Sequence, residues 1–546
     1  MSSQPPIGID LGTTFSVVAF VDRNGAPQTV LNAEGDLITP SAVFFDAGEA
    51  VVGIEAVKAA IYEPQAVARF AKRDMGKPQF HQLLRGRHLP PEVIQALVLQ
   101  KLKRDAEMKL PRCDQVVITV PAFFNEPRRK ATMDAGRLAG LDVLDIINEP
   151  TAAAVAFGVQ AGFVRRQGQT HQPETILVYD LGGGTFDVTL MRIEGCNYTA
   201  LATDGDVQLG GIDWDRRIVD LLAEQFREQH GSDPRQHPAA LQGLMREADD
   251  AKRALSTRQN MTIRFTHQGR QIQTVLSRDQ FEALTADLVQ RTLFTVQKLL
   301  RDARVSQQAL TRILLVGGAT RMPMITQALE QFAGLRVDRS MSPDETVAHG
   351  AALYASFLQQ GGSLAERNLA VYNVNSHDLG VLALERETGM QRRRIMIPRN
   401  TPLPARSRSR FVTHRANQAR VVVQVVEGGD DSGNQATPIG KCLVTGLPPR
   451  LPAKTPVVVQ FFYAANGRLS VKATLPDAGI EASSTIQRAA GMSETELQEW
   501  QQRIAQADYF PRSEPPRQPT PDPAQAKTPP EAAEDEDSEV FSDLDD

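Results

Sequence analysis

Residues 176–189 run Ile-Leu-Val-Tyr-Asp-Leu-Gly-Gly-Gly-Thr-Phe-Asp-Val-Thr. The apolar run predicts a strand that ends at Asp180, and the three glycines predict a tight turn into a second strand. Glycine accepts positive φ angles without steric cost and lets backbone N–H groups come close to an anion. Thr185 adds a hydroxyl, and Asp180 adds a carboxylate of the kind that holds hydrated Mg²⁺. The stretch therefore predicts a phosphate-binding hairpin.

A second hairpin of the same type lies near the N-terminus, between Ile7 and Val18. It again has an acidic strand end, Asp10, followed by a glycine and two threonines. A single glycine-rich hairpin is usually only a tight turn. Two acidic hairpins together with the glycine pair at 317–318 instead favour a nucleotide site between duplicated halves. No G-x-x-x-x-G-K-[ST] sequence occurs, which excludes a P-loop.

The composition is that of an ordinary soluble protein with several domains. The chain has 546 residues, of which 41% are hydrophobic and 23% are charged, and no apolar run is long enough to span a bilayer. The short polar N-terminus predicts no signal peptide, so we expect a cytoplasmic protein with no membrane partner. Cys113, Cys196 and Cys442 have no paired spacing and indicate neither a disulfide framework nor a zinc site.

Charge is unevenly distributed along the chain. The formal net charge is −5, and residues 531–546 alone carry nine acidic groups and no Lys or Arg, which leaves the remainder near +4. The pattern predicts a basic body with an acidic tail. The basic region lacks the interleaved aromatic residues of a base-stacking surface, so we do not expect a nucleic-acid partner.

The order of predicted elements changes near residue 369. Before it, strands alternate with helices, which is typical of α/β architecture. From about 369 to 488, short strands separated by Gly, Pro and Asn turns predict an all-β sandwich. Ser493-Glu-Thr-Glu496 is a capping-box pattern that begins one amphipathic helix. The proline-rich stretch 511–530 and the acidic end predict a disordered tail.

Four strings carry a specific resemblance: Ile7-Gly-Ile-Asp-Leu-Gly-Thr-Thr14, Ile147-Asn-Glu-Pro-Thr-Ala-Ala-Ala154, Asp180-Leu-Gly-Gly-Gly-Thr-Phe-Asp187 and Val316-Gly-Gly-Ala-Thr-Arg-Met-Pro323. With them, the chain from residue 7 to about 505 resembles the 70-kDa heat-shock chaperone family, in the superfamily of actin and sugar kinases. The resemblance implies an actin-like α/β ATPase domain of two duplicated lobes and an all-β sandwich domain, followed by a short C-terminal helix. The implied bounds are 1–362 for the ATPase domain, 363–375 for an interdomain linker, 376–490 for a peptide-binding sandwich, 491–510 for a rudimentary helical lid and 511–546 for the tail.

The same resemblance implies a site for ATP or ADP with Mg²⁺. Asp10 and Asp180 would hold Mg²⁺ through water, Lys72 and Thr185 would act in catalysis, and Glu149 would orient the attacking water. Phosphoryl transfer needs positioning and charge neutralisation more than covalent chemistry, which these groups supply. Without the resemblance, Lys72 would be taken for a solvated charge and Glu149 for a helix-start acid. The residues implied to contact the nucleotide are Gly12, Thr13, Thr14, Phe15, Gly182, Gly183, Gly184, Gly210, Gly211, Lys252, Arg253, Ser256, Gly317, Gly318, Arg321 and Asp344.

Other positions match the family's interdomain relay and its peptide groove. The relay pair would be Pro121 and Arg129, and the groove would include Phe411, His414 and Val421. The implied partners are unfolded or extended peptides, with a J-domain co-chaperone and a nucleotide-exchange factor as candidate helpers. We expect a monomer.

Several charges depart from the family pattern. Asn368 stands where the linker usually has Asp, and Asp145 replaces a basic residue that contacts J-domain partners. Arg392, Arg393 and Arg394 lie on one rim of the predicted groove. Such a run is either a solvated face or a rim that prefers acidic peptide, and the chain's own residues 539–544 are a candidate for that peptide.

We therefore predict an ATPase that acts as a molecular chaperone and binds and releases unfolded peptide segments in a cycle driven by Mg-ATP hydrolysis. The alternative is a nucleotide-gated scaffold or regulatory protein with a dedicated partner and little ATPase turnover. A small-molecule kinase of the same superfamily is disfavoured, because nothing between the hairpins indicates a second substrate site and the β domain would have no role.

Overall fold

The computed structural model describes residues 5–46, 48–163, 172–359, 369–385, 388–465, 469–486, 491–510 and 541–543, with only the backbone described at 484–486 and 541–543. The chain divides into two compact units. The first comprises Met1–Phe124, Ala131–Val371 and Met492–Tyr509, and the second comprises Asn125–Lys130, Tyr372–Gly491 and Phe510–Asp546.

The N-terminal half of the α/β region is built on one mixed sheet with the strand order β3-β2-β1-β8-β9. Strands β1 and β2 form the predicted glycine hairpin, and β1 also pairs in parallel with β8. The elements are β1 Ile7–Asp10, β2 Phe15–Val21, β3 Pro27–Thr29, β4 Thr39–Pro40, β5 Ala42–Asp46, β6 Glu49–Val52, α1 Ile54–Ala59, β7 Val67–Arg69, α2 Pro91–Glu107, β8 Gln115–Val120, α3 Glu126–Leu138, β9 Asp142–Asn148 and α4 Glu149–Gln160.

The following half repeats this plan with the strand order β15-β10-β11-β12-β16. Strands β10 and β11 form the second glycine hairpin, and β10 pairs in parallel with β15, as β1 does with β8. The repeated hairpin-plus-parallel-strand plan confirms the predicted duplication. The elements are β10 Glu174–Leu181, β11 Phe186–Glu194, β12 Asn197–Asp206, α5 Gly211–His230, α6 Pro238–Leu255, β13 Asn260–His267, β14 Arg270–Ser277, α7 Arg278–Leu284, α8 Ala286–Asp302, β15 Arg312–Val316, α9 Pro323–Ala333, α10 Thr346–Gln359 and β16 Ala370–Tyr372.

Two glycines allow α10 to approach its neighbours closely. A Cβ atom at Gly350 would lie 1.8 Å from the carbonyl oxygen of Ala152 in α4, and a Cβ atom at Gly8 in β1 would lie 2.1 Å from the backbone nitrogen of Ala352. Both positions therefore require glycine. These close contacts hold α4 and β1 against α10. The position of Glu149, the first residue of α4, therefore depends on packing in the core of the first unit.

The second unit is a β-sandwich whose core includes Phe411, Val421 and Phe461, all almost completely buried. Its ladder order is β21-β20-β17-β25-β19-β22-β23-β24, with β18 paired to β17. The change from α/β to all-β architecture confirms the predicted fold class. The strands are β17 Leu379–Leu384, β18 Gln391–Ile397, β19 Ala405–Thr413, β20 Val421–Glu427, β21 Thr437–Val444, β22 Pro456–Tyr463, β23 Leu469–Leu475, β24 Ile480–Ile486 and β25 Phe541–Asp543.

The short helix α11, Glu494–Ala505, begins at the predicted capping box. The backbone N–H of Glu496 donates to Ser493 Oγ at 3.2 Å, and Ser493 N–H donates to Glu496 Oε2 at 2.9 Å. The helix belongs to the first unit, where Arg137 contacts Glu494 at 2.9 Å. Its role as a rudimentary lid stays a prediction.

Two further expectations concern residues that are only partly described. The predicted disordered tail lies outside the described residues except at β25, which forms a strand. Asn368, in the predicted linker, also lies outside the described residues. Among the helices of the described residues, none combines the length and apolar character needed to cross a membrane.

Candidate functional site

The two glycine hairpins of the first unit face each other. A Cβ atom at Gly183 would lie 2.3 Å from Thr14 Oγ1, and a Cβ atom at Gly184 would lie 2.4 Å from Thr13 Cγ2. The turn of one hairpin is thus in direct contact with the hydroxyl-bearing turn of the other, across a gap that only glycine leaves open. Sequence reasoning predicted this juxtaposition from the repeated motif alone.

A third glycine segment supports the turn from behind. The N–H of Gly211 donates to the carbonyl of Gly182 at 2.9 Å, and the N–H of Ile212 donates to that of Gly183 at 2.9 Å. A Cβ atom at Gly210 would lie 2.6 Å from the backbone nitrogen of Gly184. The start of the long helix α5 therefore holds the carbonyl side of the turn.

Lys72 and Glu149 form a buried ion pair. Lys72 Nζ donates to Glu149 Oε1 at 2.6 Å, and the two side chains are 4% and 8% exposed. Burial alone would lower the pKa of Lys72, but the nearby carboxylates, led by Glu149 and Asp10, raise it above its usual value. Lys72 therefore stays a cation. Because it is buried, it is not the solvated surface charge that its local sequence alone would indicate.

The second feature of the site is a pair of carboxyl groups, the buried Asp180 and the partly buried Asp10 at the end of β1. Burial, reinforced by the charge of Glu149, raises the pKa of Asp10 to about 7, although Lys72 opposes the shift. Burial and the charges of Glu149, Asp187 and Asp10 raise the pKa of Asp180 well above its usual range. A bound cation would stabilise the ionised form of these clustered carboxyl groups and offset their mutual repulsion.

The donor set suits Mg²⁺ bound through water. Asp10 accepts a hydrogen bond from Thr119 Oγ1 at 3.0 Å, which fixes one of its oxygens. Among the residues that the structure describes, no group of three or more His, Cys, Asp and Glu side chains is placed to hold a metal directly. Mg²⁺ commonly keeps several waters and takes only one or two protein carboxylates, so the two aspartates fit that ion.

The predicted base and ribose residues line the neighbouring part of the first unit. Lys252 Nζ contacts Asp215 Oδ1 at 2.6 Å and donates to the carbonyl of Gly211 at 3.2 Å. The Arg253 guanidinium lies 5.2 Å from the centre of the Phe15 ring, so residues of both halves meet here. Burial raises the pKa of Asp215 to about 6, against the opposing charge of Lys252.

The remaining residues of this group also have definite neighbours. Arg321 forms an ion pair with Asp344, and a Cβ atom at Gly318 would lie 3.2 Å from Asp344 Oδ1. Gly317, at φ 82°, would place a Cβ atom 2.4 Å from the carbonyl oxygen of Leu181. Ser256 Oγ donates to the carbonyl of Lys252 and so caps the end of α6.

Sequence reasoning missed Arg73, the residue after Lys72. Arg73 Nε donates to the carbonyl of Gly184 at 2.9 Å, and its Nη2 contacts Asp213 Oδ2 at 2.5 Å. Asp213 in turn accepts from the N–H of Gly210 at 2.9 Å. Arg73 therefore ties the Lys72 segment to the glycine turn. The sequence around Arg73 gives no sign of this contact, because Arg73 and Gly184 are 111 positions apart.

The predicted relay and groove residues lie elsewhere in the chain. Pro121 is buried after β8 in the first unit, whereas Arg129 is half-buried in the segment that belongs to the second unit. Phe411 and Val421 are fully buried in the sandwich, at the end of β19 and the start of β20. His414 is exposed just after β19. Their roles stay predictions.

Part of the predicted basic rim is buried. Arg392, Arg393 and Arg394 lie within strand β18 and not in a loop. The side chain of Arg393 is only 4% exposed, donates to the carbonyl of Gly428 at 2.6 Å and contacts Asp378 at 3.4 Å. Arg392 and Arg394 are exposed, so the run is not a uniform charged surface.

Comparison with known proteins finds similarity along most of the chain. The family model described as Hsp70 protein matches residues 6–85 and 78–514. The chaperone protein DnaK of Halobacterium salinarum is 38% identical over 512 residues, which cover 92% of this chain and 78% of that protein. DnaK of Thermus thermophilus is 38% identical over 524 residues, with 90% and 82% covered. The chaperone protein dnaK3 of Thermosynechococcus vestitus is 40% identical over 525 residues, with 90% and 74% covered.

Proposed function

The chain belongs to the Hsp70 family, and from that premise we propose that it is an ATP-dependent chaperone that binds and releases extended peptide segments in a cycle driven by Mg-ATP hydrolysis. The observation that carries this proposal is the buried Lys72–Glu149 pair at 2.6 Å, in the unit that also brings the two glycine hairpins together. A buried charge pair is costly to maintain for structure alone. Its position among the residues expected to act on phosphate supports a catalytic use.

The side chains have distinct tasks in the proposed hydrolysis. The turn at Gly183 and Gly184 would offer backbone N–H groups to phosphate oxygens, with hydroxyls from Thr13 and Thr14 opposite, while the N–H of Gly182 closes the turn by donating to the carbonyl of Thr185 at 3.0 Å. Lys72 is held cationic and would offset the negative charge of the phosphoryl group. Glu149 would accept a hydrogen bond from the attacking water and orient it.

The metal requirement follows from the two aspartates. Mg²⁺ held through water by Asp10 and Asp180 would supply charge neutralisation at the phosphate oxygens. Thr119, by donating to Asp10 Oδ1, would keep the other oxygen of that carboxylate turned to the ion's water shell. These residues account for binding and orientation without any covalent intermediate.

Peptide binding is assigned to the β-sandwich. Sheet edges bind extended segments through backbone hydrogen bonds, which suit many sequences. The groove residues Phe411 and Val421 would support such a site from the core, since both are fully buried. Contact with a J-domain helper would differ from the family pattern, because Asp145 on β9 is acidic where relatives have a basic residue. Asp145 accepts a hydrogen bond from Tyr354 Oη at 3.0 Å.

The test is single-turnover ATP hydrolysis with and without unfolded peptide. We expect diverse peptides to stimulate hydrolysis, and Lys72→Ala to abolish it while Lys58→Ala, at an exposed lysine, leaves it unchanged. Nucleotide binding without turnover, and no response to unrelated peptides, would overturn the chaperone assignment. That result would support the alternative, a nucleotide-gated scaffold or regulatory protein.

A further inference from the structure

The C-terminal segment Phe541–Asp543 is a strand of the sandwich. As β25 it pairs antiparallel with β19, where Phe541 is opposite Thr413, Ser542 opposite Val412 and Asp543 opposite Phe411. It also pairs in parallel with β17, where Ser542 is opposite Leu384. The segment therefore has neighbours on both sides, which is the position of a central strand and not of an edge strand.

The strands of the sandwich fall into two groups on either side of β25. One group is β21-β20-β17 with β18, and the other is β19-β22-β23-β24. In the ladders formed by the described residues, β25 is the strand that joins β17 to β19. We call the gap between β17 and β19 the strand slot. An extended segment in the slot can form backbone hydrogen bonds with both flanking strands.

Charge complements this backbone arrangement. Residues 531–546 carry nine acidic groups and no Lys or Arg. On β19, which forms one wall of the strand slot, Arg406, Arg408 and Arg410 alternate as exposed residues on one face. An acidic segment would be attracted toward this wall over a range of about 10 Å at ordinary ionic strength.

The length of chain before β25 also permits this pairing within one molecule. Thirty residues, 511–540, separate Phe510 from Phe541, and a chain of that length can reach up to about 100 Å. A tether of this kind gives an effective concentration on the order of millimolar. A strand of only three residues can therefore occupy the slot although it forms few hydrogen bonds.

We propose that residues 541–543 are an internal ligand of the strand slot, which an external extended peptide must displace. The proposal rests on the proposed function, since it assigns peptide binding to this slot, and it adds the chain's own end as the competing occupant. When the internal ligand fills the slot nine times in ten, the apparent affinity for external peptide falls about tenfold. The tail would thereby restrict binding to the peptides that compete best.

The decisive variant changes the backbone and leaves the charge alone. Proline at position 542 cannot donate to a ladder and is excluded from central strands. We expect Ser542→Pro, and a chain that stops after residue 530, to bind a dye-labelled, uncharged, leucine-rich peptide up to about tenfold more tightly than the natural chain. Ser542→Thr keeps a strand-forming residue, and Ala532→Pro places the proline outside the paired segment, so neither should change the affinity.

A second measurement tests occupancy without any external peptide. Amide hydrogen exchange in β17, β19 and at residues 541 and 543 should be slow in the natural chain and faster in Ser542→Pro. A labelled peptide of residues 537–546 should bind the chain that stops after residue 530, and a scrambled peptide of the same composition should bind more weakly. Equal exchange in both chains, or equal binding of both peptides, would overturn the internal-ligand proposal.

The two proposals fail in different ways. If the leucine-rich peptide binds neither chain while exchange shows the slot filled, the internal ligand stands and the chaperone function fails. If the peptide binds both chains equally and exchange in β19 is unchanged by Ser542→Pro, the chaperone function stands and the internal ligand is refuted. Thermal unfolding of each variant checks that the sandwich is folded.

Discussion

The proposed nucleotide site and the proposed strand slot would recognise their ligands by different means. The site in the first unit depends on buried side chains, among them Lys72, Glu149 and Asp180, with the partly buried Asp10 beside them. The slot in the second unit depends on backbone pairing, and its described occupant is a strand of three residues. Single side-chain substitutions should therefore damage the first strongly and the second weakly.

The difference suits the two ligands. A phosphate chain has a fixed charge distribution, which preorganised charges and N–H groups can match. Extended peptides of different sequence share only their backbone, so a site that accepts many of them must bind mainly through backbone hydrogen bonds. Both tryptophans, Trp214 and Trp500, belong to the first unit. Their fluorescence reports the unfolding of the first unit alone, which lets the stability of the nucleotide site be followed separately.

The largest effect should come from breaking the buried ion pair. Lys72→Met leaves Glu149 as an uncompensated buried charge, and we expect it to cost about 3–5 kcal/mol of the free energy of unfolding of the first unit. The double variant Lys72→Met with Glu149→Leu should recover most of that loss. Urea unfolding followed by tryptophan fluorescence measures both values.

The matched control is Lys58→Met with Glu55→Leu, at an exposed pair joined at 2.7 Å. This pair should show a coupling energy near zero, because exposed ion pairs contribute little. If the two double variants behaved alike, burial of the Lys72–Glu149 pair would not distinguish the site.

The next effect concerns pH and Asp215. Burial raises the pKa of this carboxyl to about 6 from 3.8, so the folded chain keeps a proton that the unfolded chain releases. Stability from the neutral form is therefore present below the unfolded value and is lost as pH rises from about 4 to 6. Over this range we expect the free energy of unfolding of the natural chain to fall by about 2–3 kcal/mol relative to that of Asp215→Asn. Above this range the difference between the two chains should stay constant.

Urea midpoints at a series of pH values measure this difference. Asp220→Asn, at an exposed position of the same helix α5, reports the effect of removing a carboxylate from the surface. A parallel pH course for the natural chain and Asp215→Asn would contradict the assigned pKa. It would also weaken the view that buried charge sets the properties of the nucleotide site.

A smaller effect is expected from filling the space between the hairpins. Gly184→Ala would bring a methyl group to 2.4 Å from Thr13 Cγ2, whereas at Gly182 the nearest atom would be 3.6 Å away. Because a side chain and not the backbone must move, we expect a cost of about 1 kcal/mol for Gly184→Ala. Gly182→Ala should cost less. Urea unfolding without nucleotide makes the comparison, and equal costs would contradict the close approach of the two hairpins.

Much of the nucleotide site could be predicted from the sequence because its parts are local. Each hairpin places its acidic residue, glycines and hydroxyls within a few residues, so the turn chemistry was evident at Asp10 and at Asp180. Lys72 and Glu149 are 77 positions apart and make no local pattern. Only the family resemblance brought them together, and it did not reveal Arg73.

The strand slot was less predictable for a physical reason. The sandwich strands follow from their alternating apolar residues, but the partner of a strand depends on long-range register. Composition marked the tail as acidic and disordered, and charge alone made residues 539–544 a candidate ligand for a basic rim. The pairing of Phe541–Asp543 with β17 and β19 adds a backbone reason that composition does not contain.

The smallest expected effect tests whether charge or backbone holds the tail in the strand slot. Arg408 is exposed on β19, so its interaction with an acidic segment is screened by solvent and salt. We expect Arg408→Gln to change the affinity for an uncharged, leucine-rich peptide by less than about twofold. Lys441→Gln, at an exposed position on β21, controls for the lost charge. An increase as large as that of Ser542→Pro would show that the arginines hold the tail, and the contrast between a side-chain site and a backbone slot would then fail.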